Sequence, residues 1–125
     1  MTASKYHNRK TKVSNGQIAD SRKEARRYEE LLLLQRVGRI SDLCTQVPFE
    51  LIPAQYETYE RYGKSGQRLK DGIKLVERAV TYVADFVYVE DGKTVVEDTK
   101  GVRTADYIIK RKLILNIHGI ILREI

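Results

Sequence analysis

Apolar and polar residues alternate along residues 78–101, RAVTYVADFVYVEDGKTVVEDTKG, in two runs separated by Asp91-Gly92. Asp-Gly between such runs is a strong short-range hairpin signal, and in a strand every second side chain lies on one face. A two-residue loop sets the register by counting outward. Glu90 falls opposite Lys93, Val89 opposite Thr94, Tyr88 opposite Val95, Val87 opposite Val96 and Phe86 opposite Glu97. The same count continues with Asp85 opposite Asp98, Ala84 opposite Thr99 and Val83 opposite Lys100. Val83, Asp85, Val87, Val96, Asp98 and Lys100 then share one face, and Glu97 is a bystander on the other.

Helical spacing marks two further segments. From residues 20–21 to about 37, Ala25, Tyr28, Leu31, Leu32 and Gln35 fall on one side, Leu33 and Leu34 broaden the stripe, and Gly38 suits the end. Ser21-Arg22-Lys23-Glu24 fits a capping box, with Glu24 reaching back to the Ser21 amide. A second reading points Glu24 toward the Asp85–Asp98 face. Thr104 caps a helix over residues 105–118, with Ala105, Ile108, Ile109, Leu113 and Ile117 as its core stripe and His118-Gly119 at its end.

Residues 40–54 read as strand material broken at Pro48, which implies an edge, a bulge or a bend. Gln46 there either aims its amide at the Asp85–Asp98 site or satisfies a sheet edge, and the edge is the expected role. Residues 119–125 read as a closing strand in the sheet interior. In residues 55–77, Tyr56, Tyr59 and Tyr62 interleave with Arg61, Lys64, Arg68, Lys70 and Lys74. That mixture suits a surface that stacks on bases while neutralising phosphates. It suits an extended hairpin or a solvated excursion equally well. The order of elements, αβββαβ, predicts an α/β fold with a mixed sheet flanked by helices over residues 20–125. Residues 1–19 precede it as a flexible basic arm, a solvated terminus still able to bind phosphates.

Composition narrows the chemistry. The 125 residues suit one domain, and 23 Lys+Arg against 17 Asp+Glu give a net charge of +6, which favours polyanions, nucleic acid first. Cys44 stands alone, which excludes a disulfide framework or a multi-cysteine zinc site and suits a reducing cytoplasm. The apolar run of residues 31–34 is too short to span a membrane, and no signal peptide is expected. Against this basic background, Asp85 and Asp98 are notable. Opposed carboxylates stand about 5 Å apart at Cβ and repel unless a cation lies between them. Lys100 is one candidate cation and a divalent metal is the other, since magnesium takes carboxylate oxygens. Arg22, Lys23, Arg26, Arg103, Lys110, Arg111 and Lys112 are the candidate DNA contacts, although charge clusters on helices are commonly plain solvated faces.

Asp98-Thr99-Lys100 as a D-x-K element, Asp85 on the preceding strand and Glu24 in the first helix together resemble the core of the PD-(D/E)XK nuclease superfamily. Ala84-Asp85-Phe86 lacks the proline of the superfamily's name. More narrowly, SRKEARRY, YVADFVY, VVEDTKG and YIIKRKL resemble a small phage and prophage family of nuclease-like proteins akin to Holliday junction resolvases. The resemblance implies a restriction-endonuclease-like fold and cleavage of phosphodiester bonds with Mg2+ or Mn2+. It implies that Asp85, Asp98, the Thr99 carbonyl and Glu24 hold the metal, while Lys100 orients the attacking water. A single small basic domain with no evident sequence-reading module suits branched DNA as substrate, symmetric cutting of a four-way junction calls for a twofold homodimer, and a phage origin implies the cytoplasm of a bacterial host.

Overall fold

The computed structural model describes residues 11–12, 18–19, 22–99 and 103–125. The expected flexible arm over residues 1–19, the Ser21 cap and Lys100 fall largely or wholly outside them. Two short strands of the N-terminal segment, β1 (Thr11–Lys12) and β2 (Ile18–Ala19), pair antiparallel with each other. Helix α1 (Arg22–Arg36) follows and buries Glu24, Ala25, Tyr28 and Leu31. Gly38, at φ +84°, takes the left-handed turn that only glycine adopts without strain.

The chain continues as β3 (Ser41–Ile52), β4 (Gln55–Tyr62), β5 (Arg68–Glu77), β6 (Val80–Glu90) and β7 (Lys93–Asp98). Helix α2 (Ala105–His118) and the short β8 (Arg123–Glu124) close it. The main sheet has the order β3-β6-β7-β8, antiparallel except for the parallel β7–β8 pair, so it is mixed. Strands β4 and β5 form a separate hairpin inserted between β3 and β6. Pro48 lies in an unbroken β3, and β3 is the sheet's edge strand, where a missing N–H is tolerated.

The β6–β7 turn has the expected form. Asp91 and Gly92 both have positive φ, +51° and +75°, as a two-residue primed turn requires. Pairing runs from Glu90 with Lys93 to Phe86 with Glu97, in the register that counting predicts. Thr104 caps α2, its hydroxyl accepting from the Tyr107 amide at 3.1 Å, and Gly119 ends it at φ +68°.

Other expectations need correction. The inward line of α2 is Tyr107 and Ile114, with Leu113 packed beside them, whereas Ile109 and Ile117 face water. Apolar residues surround so much of this helix that periodicity alone does not select a face. Strand β8 is two residues long and sits at the sheet's edge, with Ile121 just before it 81 % exposed. It is held by charged pairs as much as by the ladder, Arg123 reaching Glu90 at 3.2 Å and Glu124 receiving Arg103 at 2.8 Å.

Two clusters make up the core. Ala25, Tyr28, Leu31, Ile40, Phe86 and Tyr88 form the one under α1, where the Tyr28 and Phe86 rings stack at 5.7 Å. Leu51, Tyr82, Ala84, Val96, Tyr107, Ile114 and Leu122 form the one under α2. Among the described residues, no helix is long and apolar enough to cross a membrane.

Candidate active site

Strict alternation would put Tyr82, Ala84, Phe86 and Tyr88 on one face of β6. Instead Tyr82 and Ala84 join the α2 cluster, while Phe86 and Tyr88 join the α1 cluster. Strand β3 behaves alike: Leu43 packs with the α1 cluster, and Phe49 and Leu51 pack with the α2 cluster. Both strands therefore change sides at one level, between the pairs Thr45–Phe86 and Val47–Ala84. The residues at that level are Gln46 and Asp85. Gln46 has φ +53°, outside the β region, and a residue in that conformation turns the strand about its own axis. Val83 consequently does not share a face with Val87 and Val96 as counting predicts; it is exposed.

The regular β6–β7 ladder ends at Phe86–Glu97, one step short of the expected Asp85–Asp98 pair. The Asp85 carboxylate itself takes over there. Its Oδ2 accepts from the Thr99 amide at 2.9 Å and from the Thr99 hydroxyl at 2.8 Å. Asp98 is completely buried and accepts a hydrogen bond on Oδ2 from the Tyr82 hydroxyl. The Tyr107 ring packs near Tyr82, with centroids 6.5 Å apart. On the opposite side of the switch, the Gln46 amide donates to Glu24 Oε1 at 2.8 Å, and Glu24 is buried in the first turn of α1. Gln46 thus serves Glu24 and not a sheet edge.

Polar groups from α1, β3, β6 and β7 therefore form a seam through the sheet where its strands turn over. Burying carboxylates is costly unless each is hydrogen-bonded, and the seam's amide and hydroxyl donors meet that need. Glu24, Asp85 and Asp98 are nevertheless not drawn into one cluster. Among the described residues, no group of three or more His, Cys, Asp or Glu is placed to hold a metal ion. The donor chemistry does fit a hard divalent cation: three carboxylates and the Thr99 carbonyl offer only oxygen, the ligand magnesium and manganese prefer. Both recorded bonds to Asp85 end on one oxygen, and the Tyr82 bond orients Asp98 as hydrogen bonds orient metal-ligating carboxylates.

Burial, then the bond to Asp98, raises the Tyr82 phenol well above its ordinary 10.0. Tyr107 is also raised, by burial and then by the nearby Asp98 charge. Both stay protonated donors through the neutral range. The folded state keeps these protons after the unfolded chain has lost them, so their stabilisation is complete below about pH 10 and declines above it. Urea midpoints measured from about pH 8 to 11 should thus fall less steeply for Tyr82→Phe than for wild type. Equal slopes would remove Tyr82 from this titration.

The seam has a neighbour that sequence reasoning treats as a bystander. Glu97 does point to the opposite face, but it is completely buried there under α1. Arg27 grips it with two bonds, Nε to Oε1 at 2.6 Å and Nη2 to Oε2 at 2.9 Å, and the Tyr88 hydroxyl adds a third at 2.5 Å. The bonds to Glu97 raise the Arg27 pKa further, against the opposing effect of burial. The sequence does carry a signal: an acid at an inward strand position, opposite Phe86, needs a cation from the helix above it.

The expected DNA contacts are divided. Arg22, Arg26 and Lys112 are exposed, and Lys23 and Lys110 are half-buried. Arg103 and Arg111 both bind the Glu124 carboxylate, at 2.8 and 3.4 Å, which offsets their charge locally. Tyr107, in the first turn of the same helix, is buried. His118 ends α2 as expected, its Nε2 lying 2.6 Å from the Glu50 carbonyl.

No curated protein and no solved structure matches the chain. One family model does, over residues 3–119, and its description is "Protein of unknown function (DUF1064)". With nearly the whole chain inside that match, seam and sheet included, this protein belongs to the DUF1064 family.

Proposed function

We propose that the chain is a metal-dependent DNA endonuclease that hydrolyses phosphodiester bonds, selective for branched DNA in the manner of Holliday junction resolvases. The observation that carries this reading is the seam, in which Glu24 and Asp98 are buried and Asp85 is half-buried within a protein of net charge +6. Fold stability alone does not call for acids at that level of the sheet. A site that must hold a cation and also approach phosphates does.

On this reading Asp85 and Asp98 hold Mg2+ or Mn2+, with Glu24 and the Thr99 carbonyl completing the oxygen set. Bound there, the ion supplies Lewis acidity, lowering the pKa of a coordinated water and polarising the phosphate. The chain's own groups do the rest. Tyr82 and Gln46 fix the carboxylates in place, Lys100 orients the attacking water, and Arg22, Arg26 and Lys112 contact the DNA backbone. Symmetric cutting of a four-way junction needs two such sites, hence a twofold dimer.

Nicking of synthetic four-way junctions in magnesium or manganese tests the proposal. Cutting of linear single strands without junctions would sink the branched-DNA clause, and inertness toward all DNA with both metals would sink the enzyme. A second reading, a non-catalytic DNA-binding or phage accessory protein on the same scaffold, draws support from the carboxylates' existing bonds to Thr99 and Tyr82. It predicts that divalent metal leaves the melting temperature unchanged. The nuclease reading predicts a rise of several degrees at saturating metal.

A further inference from the structure

Glu97 is a completely buried carboxylate that lies outside the proposed oxygen set of Asp85, Asp98, Glu24 and Thr99. Along β7 it stands one residue, about 3.3 Å, before Asp98. Its cation Arg27 stands three residues after Glu24 in α1, about 4.5 Å further along the helix axis and on the same flank. The Arg27–Glu97 contact therefore joins the turn of helix that carries Glu24 to the strand residue next to Asp98.

Apolar packing alone would not fix that relation. The Tyr28–Phe86 stack and Leu31 hold α1 on the sheet, but apolar contact is non-directional and tolerates sliding and rotation of the helix. A guanidinium fork on a carboxylate is directional in two bonds at once. Here the fork is held at both ends. Arg27 Nε donates to Oε1 at 2.6 Å and Nη2 to Oε2 at 2.9 Å. On the sheet side the Tyr88 hydroxyl donates to Oε2 at 2.5 Å, and Arg123 reaches that hydroxyl at 3.1 Å. On the helix side Arg27 Nη1 meets Glu30 at 2.9 Å. Stability gives little reason for such a pair, because apolar residues of similar volume commonly replace a buried ion pair without loss. What the ions add is one allowed placement of α1 over β7.

We propose that Arg27 and Glu97 are positioning residues: their fork sets where the Glu24 carboxylate stands relative to Asp98 across the seam. Gln46 holds Glu24 from β3 at 2.8 Å, and the fork holds Arg27 from β7. Those two strands flank β6 on either side. A helix tied to the sheet at one point can pivot about it; tied on both sides of β6, it cannot. The placement stands on this geometry, and its use in holding a metal ion rests on the nuclease reading.

Arg27→Met/Glu97→Leu separates placement from stability, because it removes both charges together. The double variant should melt within a few degrees of wild type. In the metal-free protein its Gln46 side-chain amide signals, followed in a nitrogen–proton correlation spectrum, should move or broaden as Glu24 leaves its place. Its affinity for magnesium and manganese, by titration calorimetry, should fall about ten- to a hundredfold. Junction cutting should lose kcat with KM little changed. Arg27→Lys is the second variant: it keeps a cation for Glu97 but lacks the fork, so it should fold and show the same changes. A folded variant of either kind with unmoved Gln46 signals would overturn the proposal. So would one that binds magnesium as tightly as wild type does. A wild type that binds neither metal removes the nuclease reading, while the Gln46 signals still decide the placement, so the two fail separately.

Discussion

Replacing Arg27 with methionine is expected to destabilise the protein by about 3 kcal/mol or more, among the largest losses any single exchange in α1 would cause. The reason lies on the other side of the contact. Glu97 has no solvent exposure, and Arg27 supplies two of its hydrogen bonds from 70 residues away in the chain. With the guanidinium gone, the carboxylate keeps the Tyr88 hydroxyl but loses its cation. Arg123 is no substitute, since its recorded bonds go to Tyr88 and Glu90. Arg27→Met/Glu97→Leu should recover most of the loss, because removing both charges removes the desolvation penalty with them. Urea unfolding followed by circular dichroism checks both variants. A single variant within about 0.5 kcal/mol of wild type would mean that Glu97 does not depend on Arg27.

The second large effect concerns the seam. On the nuclease reading, Asp98→Asn is expected to lower DNA cleavage by on the order of a thousandfold or more, the loss typical when a key charge-stabilising group is removed from a site. The fold should survive, because the asparagine carbonyl still accepts from the Tyr82 hydroxyl that now binds Asp98. The rise in melting temperature with magnesium should disappear in the same variant. Loss of cutting with an unchanged metal shift would move the ion away from Asp98. An unchanged cutting rate would end the nuclease reading of the seam. On the nuclease reading, Lys100→Ala should retain junction binding and lose cutting, because that reading has Lys100 orient the attacking water.

The Arg27 and Asp98 predictions differ in how far they could be anticipated. Asp98 stands out on the page, because the Asp91-Gly92 turn carries its register to within one step of Asp85. The Arg27–Glu97 pair does not, since nothing local joins a helix residue to a strand residue so distant in the chain. The same divide runs through the seam. Glu24 is legible as an acid in a helix's first turn, but its partner Gln46 comes from a strand whose backbone leaves the β region at that residue. Alternation, the rule that places Val83 beside Asp85, fails there because β3 and β6 turn over together.

Local order was written in short stretches of residues. The Asp91-Gly92 reversal, the Thr104 and Gly119 caps, the glycine after α1 and the helix lengths all follow from interactions within about four positions. Tertiary structure decided the rest: which side of α2 faces inward, where strands β3 and β6 change sides, which cation answers Glu97, and that residues 55–77 form a hairpin of their own. Those outcomes depend on how surfaces distant in the chain are desolvated together. Burial rewards the face that finds a partner, and a run of residues read alone does not name that partner.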